Sequence, residues 1–111
     1  MIVGLDDLKK IREDNKDKKI VVGIGTFDLF HYEHLRYLND AKKLGDVLVV
    51  VVKSNFLASK KSLDKPIIDE EQRMQIIDNL KCVDYTILAS EDIFNETLRE
   101  VNFDYDDKTN T

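Results

Sequence analysis

Two histidines one helical turn apart follow a glycine-centred turn in the stretch GTFDLFHYEHLRYLNDAKKLGD, which begins at Gly25. His31 and His34 are three positions apart, a spacing that puts both side chains on one face of a helix. Two imidazoles placed in this way can donate to one phosphate group and stabilise the charge that develops there during transfer. The pair does this without acting as a nucleophile or as a metal ligand. Core packing does not require such a pair.

Alternating strands and helices must position the histidines. The run KIVVGIG, which ends in glycine, predicts a buried parallel strand, and the segments DVLVVVVKS and VDYTILA predict two more. YEHLRYLNDAKKLG predicts the helix after the first strand, with Gly45 as its C-cap. Strands that alternate with helices in this way indicate right-handed crossovers and a parallel sheet. The fold class is therefore α/β, a Rossmann-like three-layer sandwich whose sheet has three strands.

The remaining segments complete this pattern. DEEQRMQIIDNLK predicts a helix that begins with a capping box between Asp69 and Gln72. The serines, lysines and proline of NFLASKKSLDKP predict a loop, and SEDIFNETLREV predicts a last helix capped by Ser90. We expect one domain over residues 1–111, with an N-terminal helix (LDDLKKI) and linker over 1–19, a Rossmann-like core over 20–103 and a polar tail over 104–111.

Composition excludes several classes of protein. The net charge of −5 argues against a surface that neutralises nucleic-acid phosphates. No apolar run approaches the ~20 residues of a membrane span, and the charged N-terminus lacks the apolar core of a signal peptide. We therefore expect a cytoplasmic protein without a nucleic-acid or membrane partner. A single cysteine, Cys82, excludes an internal disulfide and a cysteine-based zinc site, and we interpret it as a packing residue.

The turn GTFD lies where an open parallel sheet binds ligands, beyond the carboxyl end of a strand and against a helix N-terminus. Gly25 would let the backbone approach a phosphate, and Thr26 could add a hydroxyl group. GIGTFD also invites comparison with a dinucleotide-binding GxGxxG motif. Asp28 takes the third glycine position, and Lys53 stands where an acidic ribose ligand is expected, so NAD binding is disfavoured.

GTFDLFHYEH resembles the GxFDxxHxGH signature of the cytidylyltransferase-like nucleotidyltransferases, and the resemblance extends from about Ile20 to Val101. KPIIDEEQRMQIIDNLKCVDYTIL resembles a second family segment, RP…EQR…L…VDYV. The pattern is most similar to the heptose 1-phosphate adenylyltransferases, with glycerol-3-phosphate cytidylyltransferase and archaeal FAD synthetase as close rivals. The resemblance implies a nucleotidyltransferase fold of the HUP type, lacking here the family's last strands.

The resemblance also implies a reaction. The phosphate of a sugar or polyol attacks the α-phosphorus of a magnesium-bound nucleoside triphosphate, ATP or CTP, and displaces pyrophosphate. His31 and His34 would stabilise the transition state, and Lys60 or Lys61 would reach the phosphates. Arg73 would contact the nucleotide or the acceptor phosphate. The implied nucleotide-binding turn comprises Gly25, Thr26, Phe27 and Asp28.

Some of these roles have alternatives. Asp28 is expected to brace the turn, and no residue is assigned as a metal ligand. Lys60 and Lys61 could simply be solvated, with Lys53 in their place, and Arg73 could pair with an acidic neighbour on its own helix.

Two departures from the family pattern open a second hypothesis. Glu33 replaces the glycine of HxGH and brings a negative charge close to the expected nucleotide. The family's later strands and its RxxGxS[ST][ST] segment are missing from NFDYDDKTNT, which would leave KIVVGIG as an open sheet edge. From that edge we predict a homo-oligomer, a partner protein or poor solubility. The alternative to an enzyme is a catalytically impaired nucleotide-binding or protein-interaction module of the same fold.

Overall fold

The computed structural model describes residues 1–61, 65–90 and 105–108. The strands are β1 (Ile2–Val3), β2 (Ile20–Gly25), β3 (Val47–Lys53), β4 (Tyr85–Ala89) and β5 (Tyr105–Lys108). The helices are α1 (Leu8–Asp14), α2 (Tyr32–Lys42), α3 (Asn55–Lys61) and α4 (Glu70–Asp78), and a 3₁₀ turn (Leu5–Asp7) leads into α1. No helix in the described part of the chain is both long and apolar enough to span a bilayer.

A parallel sheet with helices on both faces confirms the predicted α/β fold. The strand order is β1-β4-β3-β2-β5, and every neighbouring pair is parallel. β2 and β3 pair over the whole length of β2, from Ile20 opposite Val47 to Gly25 opposite Val52. The carboxyl ends of these two central strands therefore lie side by side, and the segments that follow them meet at one edge of the sheet.

The two faces of the sheet carry separate apolar clusters, because successive side chains of a strand point to opposite faces. One cluster joins alternate residues of β2 and β3 to Leu8 and Ile11 of α1. The other joins the intervening strand residues to Leu38 of α2 and Ile77 of α4, and it includes Cys82, as expected of a packing residue. The layers are therefore helix, sheet and helix.

The sheet has more strands than the three predicted. β1 has only two residues, too few for a periodic pattern to reveal it, yet it pairs with β4. β5 lies inside the predicted polar tail, where Tyr105 pairs with Val21 and Lys108 with Ile24. A strand pairs through its main-chain N–H and C=O groups, so an acidic segment without apolar alternation can still form an edge strand.

β5 covers the edge of β2 that we expected to be open. The reason given for a homo-oligomer therefore no longer applies, and the oligomeric state remains a prediction.

The segment after β3 begins with a helix, α3, where a loop was predicted. Ser54 caps it, because the Ser54 hydroxyl oxygen accepts a hydrogen bond from the Leu57 N–H at 3.1 Å. The capping box predicted at the start of α4 is not formed, since the Asp69 side chain caps no backbone N–H. The predicted helix over SEDIFNETLREV lies outside the described residues except for Ser90.

Gly45 does not cap α2, which ends at Lys42. Glycine is needed at position 45 because a Cβ there would lie 2.7 Å from the carbonyl oxygen of Lys19 and 2.7 Å from a methyl group of Val21. The requirement is therefore a close approach of two segments and not a left-handed helix end.

Candidate active site

The turn between β2 and α2 is held in an uncommon conformation. Phe27 and Leu29 both have left-handed backbones, with φ of 56° and 49°. The Phe27 ring is 1% exposed and packs edge-on against the imidazole of His34, with 5.7 Å between the ring centroids. A Cβ at Gly25 would lie 2.7 Å from that ring, so glycine is required there. The buried Phe27 ring thus anchors the turn, and Gly25 makes room for it.

The two histidines form a reciprocal cap at the start of α2. His31 is the N-cap, and its Nδ1 accepts a hydrogen bond from the Glu33 N–H at 3.1 Å. Nδ1 of His34 accepts from the His31 N–H at 3.3 Å. The rings stack with their centroids 4.1 Å apart. The structure therefore brings together the two side chains that the sequence singled out.

These hydrogen bonds determine the tautomer of each neutral ring. A neutral imidazole whose Nδ1 accepts a hydrogen bond carries its proton on Nε2. His31 and His34 each present an Nε2–H donor, at a helix end whose free N–H groups carry partial positive charge. A cation would need a lone pair on Nε2, which this tautomer lacks, whereas an anion can accept from both rings. The arrangement is suited to a phosphate and not to a metal ion.

Burial keeps His34 in this neutral form. Its side chain is 5% exposed. Burial lowers the pKa of His34, the neighbouring His31 lowers it further, and the negative charge of Asp28 opposes both. His31 is exposed at the mouth of the turn. The pair therefore combines one buried imidazole with one that solvent and ligands reach.

Asp28 ties the turn to the segment before α4. Its two carboxylate oxygens accept hydrogen bonds from the N–H groups of Ile67 and Ile68, both at 2.8 Å. Burial raises the pKa of Asp28, but the hydrogen bonds that it accepts and the charge of Arg73 outweigh burial, so the pKa lies below its ordinary value. Asp28 braces the turn, as the sequence indicated.

Arg73 is buried under the site, with 1% of its surface exposed. Nη1 donates to the carbonyl oxygens of Thr26 and Lys53, both at 2.7 Å, and Nε donates to the carbonyl of Ile68 at 2.9 Å. Nη2 donates to Oδ1 of Asn55 at 2.8 Å. In this structure Arg73 holds protein segments together. The predicted contact with a ligand stays a prediction, because it would require the guanidinium to leave these oxygens.

The three lysines lie at or after the end of β3. Lys53 is the last residue of β3, and Lys60 and Lys61 end α3. Lys60 is exposed, and its Nζ lies 4.9 Å from the centroid of the Phe56 ring. Their contact with phosphates stays a prediction. So does any effect of Glu33, which lies exposed in the first turn of α2.

Sequence reasoning missed Asn55, which joins three segments of the site. Its Nδ2 donates to Oδ1 of Asp69 at 2.8 Å, its Oδ1 accepts from Arg73, and its backbone N–H donates to Oε1 of Glu70 at 2.9 Å. The pair Ser54-Asn55 is a typical N-terminal helix signal and could have indicated α3. The contacts of the Asn55 side chain could not be read from the sequence.

Comparison with known proteins gives the family to which the chain belongs. The family described as cytidylyltransferase-like matches residues 22–106. An FAD synthase of Methanocella paludicola is 43% identical over 84 residues, which are 76% of this chain and 59% of that protein. An FAD synthase of Ferroglobus placidus is 51% identical over 77 residues, 68% of this chain and 49% of that protein. This chain therefore spans about half to three-fifths of the length of these relatives.

A bifunctional protein HldE of Geobacter metallireducens is 43% identical over 94 residues, 82% of this chain and 19% of that protein. Among solved structures, a lipopolysaccharide core biosynthesis protein of Thermoplasma volcanium superposes with a TM-score of 0.73 at 40% identity and covers 80% of this chain and 72% of that one. The family match, these relatives and the shared fold agree, and the chain belongs to the cytidylyltransferase-like nucleotidyltransferase family.

Proposed function

We propose that the protein transfers a nucleotidyl group from a nucleoside triphosphate to a phosphate monoester. An oxygen of the acceptor phosphate attacks the α-phosphorus, the bond from the α-phosphorus to the bridging oxygen breaks, and that oxygen leaves with pyrophosphate. The product contains a new phosphoanhydride linkage, and neither oxidant nor reductant is needed. Such transfer depends on positioning and on stabilising the charge of the transferring group.

The observation that carries the proposal is the paired Nε2–H donors of His31 and His34 at the start of α2. With the rings stacked 4.1 Å apart, both donors can reach oxygens of a single phosphorus centre. Donors fixed before the reaction stabilise developing charge without having to reorganise. In this reaction the pair contacts the α-phosphate, Thr26 lies in the adjoining turn, and Lys60 or Lys61 contacts the pyrophosphate that leaves.

Magnesium would accompany the triphosphate. Among the described residues no group of three histidine, cysteine or acidic side chains could hold a metal ion, and both carboxylate oxygens of Asp28 already accept hydrogen bonds. Mg²⁺ commonly binds through substrate phosphates and retains several waters. We therefore assign the ion to the nucleotide and propose no metal ligand among the described residues.

The identities of the nucleoside triphosphate and of the acceptor phosphate rest on weaker observations. ATP and CTP both remain candidates, and the relatives named FAD synthase favour ATP because FAD contains an adenylyl group. For the acceptor we propose a sugar phosphate or a polyol phosphate, with flavin mononucleotide as the alternative that those relatives suggest. We also propose a cytoplasmic location. The oligomeric state is to be measured by light scattering.

The test combines binding with product formation. The chain is titrated calorimetrically with ATP and with CTP in magnesium, and then incubated with each nucleotide and glycerol 3-phosphate, a sugar 1-phosphate or flavin mononucleotide. Pyrophosphate release and a product of the summed mass are expected for one combination. The double variant His31→Ala/His34→Ala should abolish both signals, whereas Asn39→Ala, exposed near the other end of α2, should keep them. Product formation that survives loss of both histidines would refute the mechanism.

A module that binds nucleotide without transferring it is the second candidate, and Glu33 is the observation that favours it. Its carboxylate lies in the first turn of α2, directly between the two histidines in sequence. Histidine-dependent binding without product from any acceptor would support this candidate. Product formation by the unmodified chain would exclude it.

A further inference from the structure

The buried guanidinium of Arg73 connects the histidine-bearing turn to the end of β3. It donates to the carbonyl of Thr26 on one side and to the carbonyl of Lys53 on the other, both at 2.7 Å. A planar guanidinium presents its donors in a rigid fork, so the positions of its acceptors are linked. The turn and the end of β3 are thus held at a fixed separation by one side chain.

Asn55 extends this connection to α3. Its side-chain amide lies between Arg73 and Asp69. The amide oxygen accepts a hydrogen bond from Nη2 of Arg73, and the amide nitrogen donates one to Oδ1 of Asp69, both at 2.8 Å. Its backbone N–H donates to Oε1 of Glu70 at 2.9 Å. Asn55 is the first residue of α3, so these three contacts attach the first turn of α3 to the first turn of α4.

The direction of α3 depends on such contacts because the helix is short. It has seven residues, and an isolated helix of that length is unstable in water. Leu57 of α3 packs against the apolar cluster that contains Leu8 and Ile11 of α1, and this contact attaches α3 to the sheet. The Asn55 amide supplies the polar attachment. Lys60 and Lys61 lie at the far end of α3, where a small change in direction moves them most.

We propose that Asn55 is a positioning residue: by attaching α3 to Arg73 and Asp69 it sets the direction of α3, and with it the position of Lys60 relative to the phosphate site that begins at Thr26. The proposal rests on the proposed function for the identity of the ligand, a polyphosphate. It differs from that function because it concerns the placement of a helix, which can be measured without turnover. Asn55 itself touches no ligand.

A donor–acceptor exchange tests this role. Asn55→Asp keeps an acceptor for Arg73 but places a carboxylate against that of Asp69. In the double variant Asn55→Asp/Asp69→Asn the side chain at position 69 donates and the side chain at position 55 accepts, and the net charge is that of the wild type. Ser59→Ala is the matched control, because among the described residues the Ser59 hydroxyl donates only to the carbonyls of Asn55 and Phe56 within α3.

Two measurements on the chain of residues 1–111 are required. Calorimetric titration with inorganic pyrophosphate should show about tenfold weaker binding for Asn55→Asp, the size expected when a hydrogen bond to a charged group is lost. Binding should return in the double variant and stay unchanged in Ser59→Ala. Amide hydrogen exchange should accelerate over 55–61 in Asn55→Asp alone, while β2 and β3 keep their protection, which shows that the variant is folded.

The outcomes separate this proposal from the proposed function. The positioning role is supported if Asn55→Asp shows faster hydrogen exchange in α3 and weaker pyrophosphate binding, and if the double variant returns both to the wild-type values. This holds even if no nucleotide is turned over. Unchanged binding in Asn55→Asp overturns it, even if the enzyme is active. Failure of the unmodified chain to bind pyrophosphate also overturns it, because α3 would then have no polyphosphate to face.

Discussion

Replacing Arg73 by methionine should destabilise the fold by about 4 kcal/mol, because four hydrogen bonds are lost at about 1 kcal/mol each. The bonds run to three backbone carbonyls and one amide oxygen, at 2.7 to 2.9 Å. Methionine is also long and unbranched, so it fills most of the same space and leaves a small cavity. The dominant effect is therefore the loss of partners for buried acceptors, and it is a large part of the 5–15 kcal/mol typical of whole proteins.

A graded series sharpens this prediction. Arg73→Lys keeps the charge, but a single ammonium cannot reach four acceptors arranged around a planar fork, so we expect a loss of about 2 kcal/mol. Arg36→Met is the control, because Arg36 is exposed on α2 and its replacement should change stability by less than about 0.5 kcal/mol.

Urea unfolding followed by far-ultraviolet circular dichroism is the appropriate assay for this series, since the chain has no tryptophan. The order of stability should be wild type and Arg36→Met, then Arg73→Lys, then Arg73→Met. If Arg73→Met were as stable as Arg36→Met, the inference that the buried guanidinium holds these segments together would be refuted.

Three further predictions concern the turn and the histidines. Burial lowers the pKa of His34, so the unfolded state binds more protons than the folded state below about pH 6.5, and the free energy of unfolding should fall as the pH drops from about 7 to 5. The urea midpoint of His34→Gln should depend less on pH than that of the wild type. The same pH dependence in both proteins would contradict this prediction. Gly25→Ala should lower the free energy of unfolding by about 1–3 kcal/mol, because the new methyl group meets the Phe27 ring. Gly23→Ala should lower it less in the same urea assay, because the nearest atom to a Cβ at position 23 is 3.4 Å away. Glu33→Gly should tighten ATP or CTP binding up to about fivefold by removing an exposed like charge, and calorimetry showing unchanged or weaker binding would rule out repulsion by Glu33.

Much of the fold was readable from local patterns. The apolar runs of β2 and β3 predicted central parallel strands because both of their faces are buried, and the structure confirms them. The spacing of His31 and His34 predicted a shared helix face, but His31 is the N-cap of α2 and has an extended backbone. The two rings stack through the reciprocal cap and not through a shared helix face. β1 and β5 escaped prediction because neither carries an apolar period, and α3 escaped because its polar residues resembled a loop.

The sequence by itself determined the layered α/β architecture, the family and the pair of imidazoles, because each depends on residues close together in the chain. Only the tertiary structure decided how the site is supported. Arg73 and Thr26 are 47 positions apart, and Asp28 and Ile68 are 40 positions apart. Neither contact leaves a periodic signal, since a backbone carbonyl or N–H group accepts or donates whatever its side chain is. From the EEQR segment the sequence predicted that Arg73 contacts the nucleotide. The structure shows Arg73 buried beneath the turn, where it donates to the Thr26 carbonyl.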